Sequence, residues 1–302
     1  VKILVVGAGG VGGYYGALLA RAGHDVTFVA RGEHGNAIRE HGLLVTLPDS
    51  HIRVEAKVLP DVAAARGLDV DVAIVAVKAD DLEGIAAPLA DALSKDGVAI
   101  PLLNGLDSEE ILARAIGRER VVGGIAQIAA RKGAPGTVIV DAPARLVLAP
   151  LDAERMPLVE RLGEVFTAAG FPCDVKPNLA RVLWSKLLWN APFNAICALT
   201  RKSAGEVLQM PELEATVRAA MLELVAVARA EGVNLDEALV EATIDATRTK
   251  FANSRPSMLQ DVLAKRRTET RELQGSVVRR GRAHGIPTPV LSTLFALMLG
   301  LE

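Results

Sequence analysis

Apolar residues fall into two different rhythms along the chain. In the first half, short runs rich in Val, Ile and Leu at residues 1–6, 24–30, 70–77 and 97–103 are bounded by charges or turn residues, as strands buried on both faces should be. Segments 12–22, 82–93 and 108–115 carry helical spacing between or after them. This alternation predicts a doubly wound, mainly parallel sheet covered by helices on both faces. Residues 133–150, rich in Val, Gly and Pro, read as late strands of the same domain, with antiparallel pairing open to them. Beyond Pro177 the rhythm becomes helical, over 179–199, 211–231, 235–250 and 257–284. The pattern therefore predicts an α/β domain over 1–175 and an all-α domain over 176–302, with the break near 174–177.

Immediately after the first predicted strand comes Gly7-Ala8-Gly9-Gly10-Val11-Gly12, a GxGxxG turn leading into a helix. The first glycine permits the tight turn, the second lets backbone approach a pyrophosphate, and the third lets helix pack on strand. The helix N-terminus adds unpaired N–H groups and a partial positive charge. Gly7, Gly9, Gly10, Val11 and Gly12 are thus candidate dinucleotide contacts. The second strand ends in Arg31-Gly32 rather than an acidic residue. A guanidinium there suits a 2′-phosphate, which favours NADP (NADPH), while the adjacent Glu33 keeps NAD open.

Ligands of open α/β sheets bind outside the carboxyl ends of the strands. Lys78 follows 70–77, Asn104 follows 97–103, and Gln127 follows a short run at 121–126. Each could end a strand at the surface; together with the glycine turn they predict one cofactor cleft.

Residues 179–199 form a strongly apolar helix, yet Lys186, Asn190 and Asn194 recur at intervals of four. Side chains four apart drift only about 40° around a helix, so the three make one stripe. A solvent-facing stripe is one explanation; few polar residues among many apolar ones favour a functional one. Hydride delivery to a carbonyl carbon leaves an alkoxide, which a lysine ammonium can stabilise and protonate while asparagine amides orient the substrate. Pro192 predicts a kink within the stripe. Ser257 and Gln260 have capping-box spacing at the start of the last long helical segment. Glu269, about three turns on and flanked by Lys265, Arg266, Arg267 and Arg271, reads by itself as a surface ion-pairing residue.

Composition narrows the classes. Of 302 residues, 50% are hydrophobic and 23% charged, as in ordinary globular chains. Lys and Arg number 34 against 36 Asp and Glu, a net charge of −2, without the basic excess of a nucleic-acid binder. Two cysteines make no disulfide framework, and five scattered histidines give no metal-ligand cluster. No apolar run approaches the roughly 20 residues of a membrane span. With no signal-like segment ahead of the first strand, the expectation is a cytoplasmic chain with no metal, membrane or nucleic-acid partner.

Several of these motifs, in this order, resemble the ketopantoate reductase (2-dehydropantoate 2-reductase) family across nearly the whole chain. They are ILVVGAGGVGGYYG with AGHDVTFVAR, VAVKA, LLNG, SKLLWNAPFNAICALT, PSMLQD followed by TE, and GIPTP. The resemblance implies a Rossmann domain, an α-helical second domain, an active site between them, and NADPH-dependent reduction of ketopantoate to pantoate on the way to pantothenate and coenzyme A. It implies Lys186 as general acid, Glu269 as a carboxylate ordering the ligands and the lysine, and Asn104, Asn190, Asn194 and Ser257 as substrate or cofactor contacts. Gly7, Gly9, Gly12, Arg31 and Lys78 become NADPH contacts. The chain departs from the family pattern at Lys78-Ala79-Asp80-Asp81, where a glutamine is common, at 268–275, and at Val140-Asp141-Ala142-Pro143-Ala144-Arg145 in place of a glycine-rich segment.

The leading expectation is a reductase of a small 2-keto acid. A β-hydroxyacid-dehydrogenase-like enzyme and a non-catalytic NADP sensor are the rivals, and a homodimer is left open.

Overall fold

A computed structural model describes residues 1–142 and 144–302; Pro143, in the departing 140–145 segment, lies outside the described residues. The chain forms two compact units, Val1–Leu103 with Asp107–Leu179, and Asn104–Leu106 with Ala180–Glu302.

In the first unit, β1 (Lys2–Val6) runs into α1 (Gly10–Arg21), and β2 (Asp25–Val29) into α2 (Gly32–His41). A hairpin of β3 (Leu43–Thr46) and β4 (His51–Val54) precedes β5 (Lys57–Leu59). The alternation resumes with β6 (Val70–Val75), α3 (Ala79–Ala92), β7 (Leu93–Pro101) and α4 (Ser108–Ile116). Then come β8 (Val122–Gln127), β9 (Ala130–Lys132), β10 (Thr137–Val140), β11 (Arg145–Pro150), α5 (Met156–Ala168) and β12 (Cys173–Val175).

The main sheet has the order β5-β2-β1-β6-β7, and every pairing in it is parallel. Its stretches at residues 3–6, 72–75 and 98–101 are apolar and buried because both faces are covered. Ile3 and Val5 of β1 enter one core with Tyr15 and Leu18, while Leu4 and Val6 enter another with Leu82 and Leu89. The fold is a Rossmann-type α/β unit. The late strands are mixed in direction: β10 pairs parallel with β3 and antiparallel with β9, and β11 pairs parallel with β12 and antiparallel with β8.

Two boundaries differ from the sequence pattern. β7 begins at Leu93, which pairs with Val70 before Ser94-Lys95-Asp96 bulge outward and regular pairing resumes at Val98 opposite Val72. α3 starts at Ala79 rather than at residue 82, with Asp80 and Asp81 in the first turn, where acidic side chains suit the helix dipole. The short strands β3 to β5 and helix α5 were not anticipated.

The second unit is all helical: α6 (Leu179–Thr200), α7 (Ala204–Leu208), α8 (Pro211–Ala230), α9 (Ala238–Lys250), α10 (Ser257–Leu263), α11 (Gln274–Ala283) and α12 (Pro289–Leu301). Leu187, Leu188, Phe193 and Ile196 of α6 share its core with Met221, Leu224, Val277 and Leu291. α6 continues as one helix through Pro192.

The expected single helix over 257–284 is corrected to two. α10 stops after Leu263; Lys265 takes a left-handed φ of 52°, and Arg266 turns back to donate from its backbone N–H to Asp261 O and from Nε to Asp261 Oδ1, both at 2.8 Å. Residues 266–269 lie outside any helix, so Glu269 does not sit on a charged helical face.

Candidate active site

The glycine turn divides its labour by position. Gly7 has a φ of 100°, and a Cβ there would meet Ala76 O at 2.5 Å. A Cβ on Gly12 would meet Gly7 O at 2.1 Å, and one on Gly10 would meet Ala130 O at 2.6 Å. Gly9 differs, because an added Cβ would meet nothing within 4 Å. Gly9 is also the N-cap of α1 and has an extended backbone. The first-turn N–H groups of a helix lack intrahelical partners, so Gly10, Val11 and Gly12 present donors beside the one open position. These residues fit a dinucleotide pyrophosphate.

Parallel register places Val6, Val29 and Val75 level, with Pro101 opposite Val75. The loops after these strands therefore leave one edge of the sheet. Arg31, the N-cap of α2, pairs across that edge with Asp81, NH2 to Oδ2 at 3.1 Å, both exposed. Lys78 is the exposed N-cap residue of α3. Gln127 closes β8 opposite Arg145, in the three-stranded sheet rather than the main one. β8 is preceded by a parallel bridge of Val121 to Ala99, so it points the same way as the main strands.

Asn104 belongs to the helical unit. Its Nδ2 donates to Glu269 Oε2 at 2.7 Å. Gly105 follows with φ 105°, and a Cβ there would meet Glu272 O at 3.1 Å, which keeps this short segment against residues 269–272. The segment carrying Glu269 is held from several sides. Thr268 Oγ1 lies 2.6 Å from Thr270 Oγ1 and donates to Glu302 Oε1 at 2.7 Å. Arg271 donates to Glu302 Oε2 at 2.8 Å, and Gln274 Nε2 donates to Ala191 O on α6 at 2.5 Å.

On α6, Lys186 and Asn190 are half-buried and Asn194 is 2% exposed. Asn194 Oδ1 accepts the backbone N–H of Met258 at 3.2 Å. That contact corrects the expected capping box. Pro256 occupies the N-cap of α10 and offers no side-chain acceptor, so Ser257 becomes the first helical residue, exposed, and Asn194 caps the helix from outside. The capping box of this unit lies at Ser203 and Glu206 instead.

Sequence reasoning missed Thr268, Gln274, Glu302 and, in the first unit, the buried His34. None has a local signature, because each acts through residues distant along the chain. Burial, with a nearby acidic residue adding to it, pushes the Cys173 and Cys197 thiols up to about 12, so neither is a ready nucleophile. Among the described residues no group of three or more His, Cys, Asp or Glu could hold a metal ion, and no helix is long and apolar enough to cross a membrane.

Comparison with known proteins covers both units. The family model "Ketopantoate reductase PanE/ApbA" matches residues 3–153, and "Ketopantoate reductase PanE/ApbA C terminal" matches 178–302. The 2-dehydropantoate 2-reductase of Archaeoglobus fulgidus is 32% identical over 302 residues, covering 100% of this chain and 98% of that protein. A crystal structure of a PanE/ApbA family ketopantoate reductase from Ralstonia eutropha JMP134 is 33% identical, with a TM-score of 0.90 over 100% of this chain and 98% of that one. A D-mandelate dehydrogenase structure shares the fold at 24% identity, with a TM-score of 0.93 over 100% of this chain and 98% of that one. With a dinucleotide-type glycine turn in one unit and a hydrogen-bonded Asn104–Glu269 pair in the unit that carries Lys186, the chain belongs to the ketopantoate reductase family of oxidoreductases.

Proposed function

We propose that this chain is an NADPH-dependent reductase of a 2-keto acid, with ketopantoate as the first substrate and pantoate as the product. The observation that carries the proposal is the hydrogen bond of Asn104 to Glu269 in the helical unit that also holds Lys186. It is supported by a whole-length relative named for that reaction. That product belongs to pantothenate and coenzyme A synthesis, and a cytoplasmic setting suits it.

The reduced nicotinamide, when bound, supplies the hydride. Gly9 and the first turn of α1 take the pyrophosphate through backbone N–H groups. Arg31 takes the 2′-phosphate; its exposed pair with Asp81 is worth at most about 1 kcal/mol, so a phosphate dianion displaces it readily. Lys78, Asn104 and Gln127 serve as further cofactor contacts. Lys186 donates the proton that converts the developing alkoxide to a hydroxyl. Glu269 orders Asn104 and the lysine. Asn190, Asn194 and Ser257 contact the substrate; with Asn194 Oδ1 engaged by Met258, its Nδ2 is the donor for a substrate oxygen.

The test is loss of NADPH absorbance with ketopantoate, beside pyruvate and other branched 2-keto acids, with NADH in parallel and 3-hydroxy acids assayed for oxidation. Turnover with ketopantoate well above the rest is the expected result. Tight NADPH binding with no turnover across the panel would make the chain a nucleotide sensor instead.

A further inference from the structure

His34 is, with Thr27, Ser108 and Glu109, one of the buried polar residues of the first unit that the assigned roles leave out. It lies in the first turns of α2, and its side chain reaches back to the glycine turn. The residue is 6% exposed, and both ring nitrogens are engaged: Nε2 lies 2.8 Å from Ala8 O, and Nδ1 lies 3.1 Å from Gly136 N. A carbonyl oxygen only accepts and an amide N–H only donates, so the ring is neutral and carries its proton on Nε2. Burial lowers its pKa, the Ala8 contact opposes that shift, and Lys132 adds to it.

Ala8 sits between Gly7 and Gly9. The peptide joining Ala8 to Gly9 is planar and trans, so its C=O and N–H point in opposite directions. Drawing Ala8 O toward α2 therefore turns the Gly9 N–H away from α2. No described residue accepts that N–H, and Gly9 is the position of the turn where an added Cβ would meet nothing. Ala8 itself is 3% exposed, so water is a poor substitute partner for its carbonyl.

We propose that His34 is a positioning residue for dinucleotide binding: it locks the Ala8–Gly9 peptide so that the Gly9 N–H joins the α1 donors facing the pyrophosphate. This rests on the proposal that the glycine turn holds the dinucleotide. It adds a requirement in the first turn of α2 that the glycine spacing alone does not contain.

Two near-isosteric substitutions separate the two bonds. His34→Gln places an amide nitrogen near the Nε2 position and keeps the donor to Ala8; His34→Asn keeps an acceptor for Gly136 and loses the donor. NADPH dissociation constants come from its fluorescence enhancement, and kcat is measured at saturating NADPH. His34→Asn is expected to weaken NADPH binding about tenfold or more, the worth of one net hydrogen bond. His34→Gln stays within about threefold, a difference of less than one such bond, and kcat changes little in both. Equal affinity in His34→Asn and wild type overturns the proposal. The wild-type chain gives a second readout if His34→Asn does not fold: the Gly9 amide resonance moves on saturation with NADPH, and an unmoved resonance overturns the proposal. Failure of the wild-type chain to bind NADPH or NADH at all would instead remove the dinucleotide reading beneath it.

Discussion

Asn104 Nδ2 and Glu269 Oε2 lie 2.7 Å apart although 165 residues separate them along the chain. One residue follows a strand of the first unit in sequence, and the other stands in the non-helical segment before α11. The contact assigns Glu269 a partner inside the helical unit rather than a place on a charged surface. Glu269→Gln retains an acceptor for Asn104 while removing the charge. That variant should melt within about 2 °C of wild type, as expected when ΔΔG stays below about 0.5 kcal/mol, and should turn over more slowly. Asn104→Ala keeps the charge and loses the donor. Parallel melting curves and kcat/KM values for the two variants separate the hydrogen bond from the charge.

Lys186→Ala tests the proton donor. Loss of a general acid lowers turnover by about 10²–10⁴, and NADPH binding should be retained because the glycine turn lies in the other unit. Stopped-flow reduction with titrated NADPH reads both quantities. Near-normal turnover in this variant would remove Lys186 from the chemistry.

Asn194 and Asn190 sit one helical turn apart and should respond differently. Asn194→Ala leaves the buried Met258 N–H without its acceptor, a loss of about 1–3 kcal/mol visible in the urea midpoint. Asn190→Ala should leave the midpoint unchanged and raise the substrate KM. Equal destabilisation by both would place Asn190 in the structure rather than the site.

Gly9 and Gly12 separate binding from folding within one motif. Gly12→Ala forces a Cβ to within 2.1 Å of Gly7 O and should give little folded protein. Gly9→Ala meets nothing within 4 Å and has an extended backbone that alanine adopts. It should fold normally, as circular dichroism would show, and bind NADPH more weakly. Unchanged affinity in Gly9→Ala would argue against pyrophosphate at that position.

His34 gives the first unit a dependence on acid. Its folded pKa is lowered from 6.5, chiefly by burial, so the unfolded chain takes up the proton first. The stabilisation is therefore complete above about 6.5 and is lost as pH falls from there through the lowered folded value. Urea midpoints measured across that window should fall with acid for wild type, and the fall should be shallower for His34→Gln. A slope identical in both would place the acid sensitivity elsewhere.

Much of the fold was legible because strand and helix periods are local properties. The runs at 1–6 and 70–77 became β1 and β6, and the long helical rhythms became α6, α8 and α9. The 257–284 segment misled because its polar spacing is compatible with a helix, and spacing alone does not record the left-handed Lys265 and the Asp261–Arg266 contacts that end α10. Ser257 misled for a related reason. Its spacing to Gln260 satisfies a cap, but the helix starts one residue earlier, at a Pro256 N-cap whose carbonyl takes the Gln260 N–H, while an asparagine 64 residues away caps the Met258 N–H.

The order of amino acids alone determined the glycine turn, the apolar strands beside it and the periodic Lys186–Asn190–Asn194 stripe, since each follows from neighbours within a few turns of chain. Tertiary structure decided which polar atoms meet: Asn104 with Glu269, Asn194 with Met258, and His34 with Ala8 and Gly136. A hydrogen bond is fixed by distance and direction in space, and neither is encoded by separation along the sequence once the chain has turned back on itself.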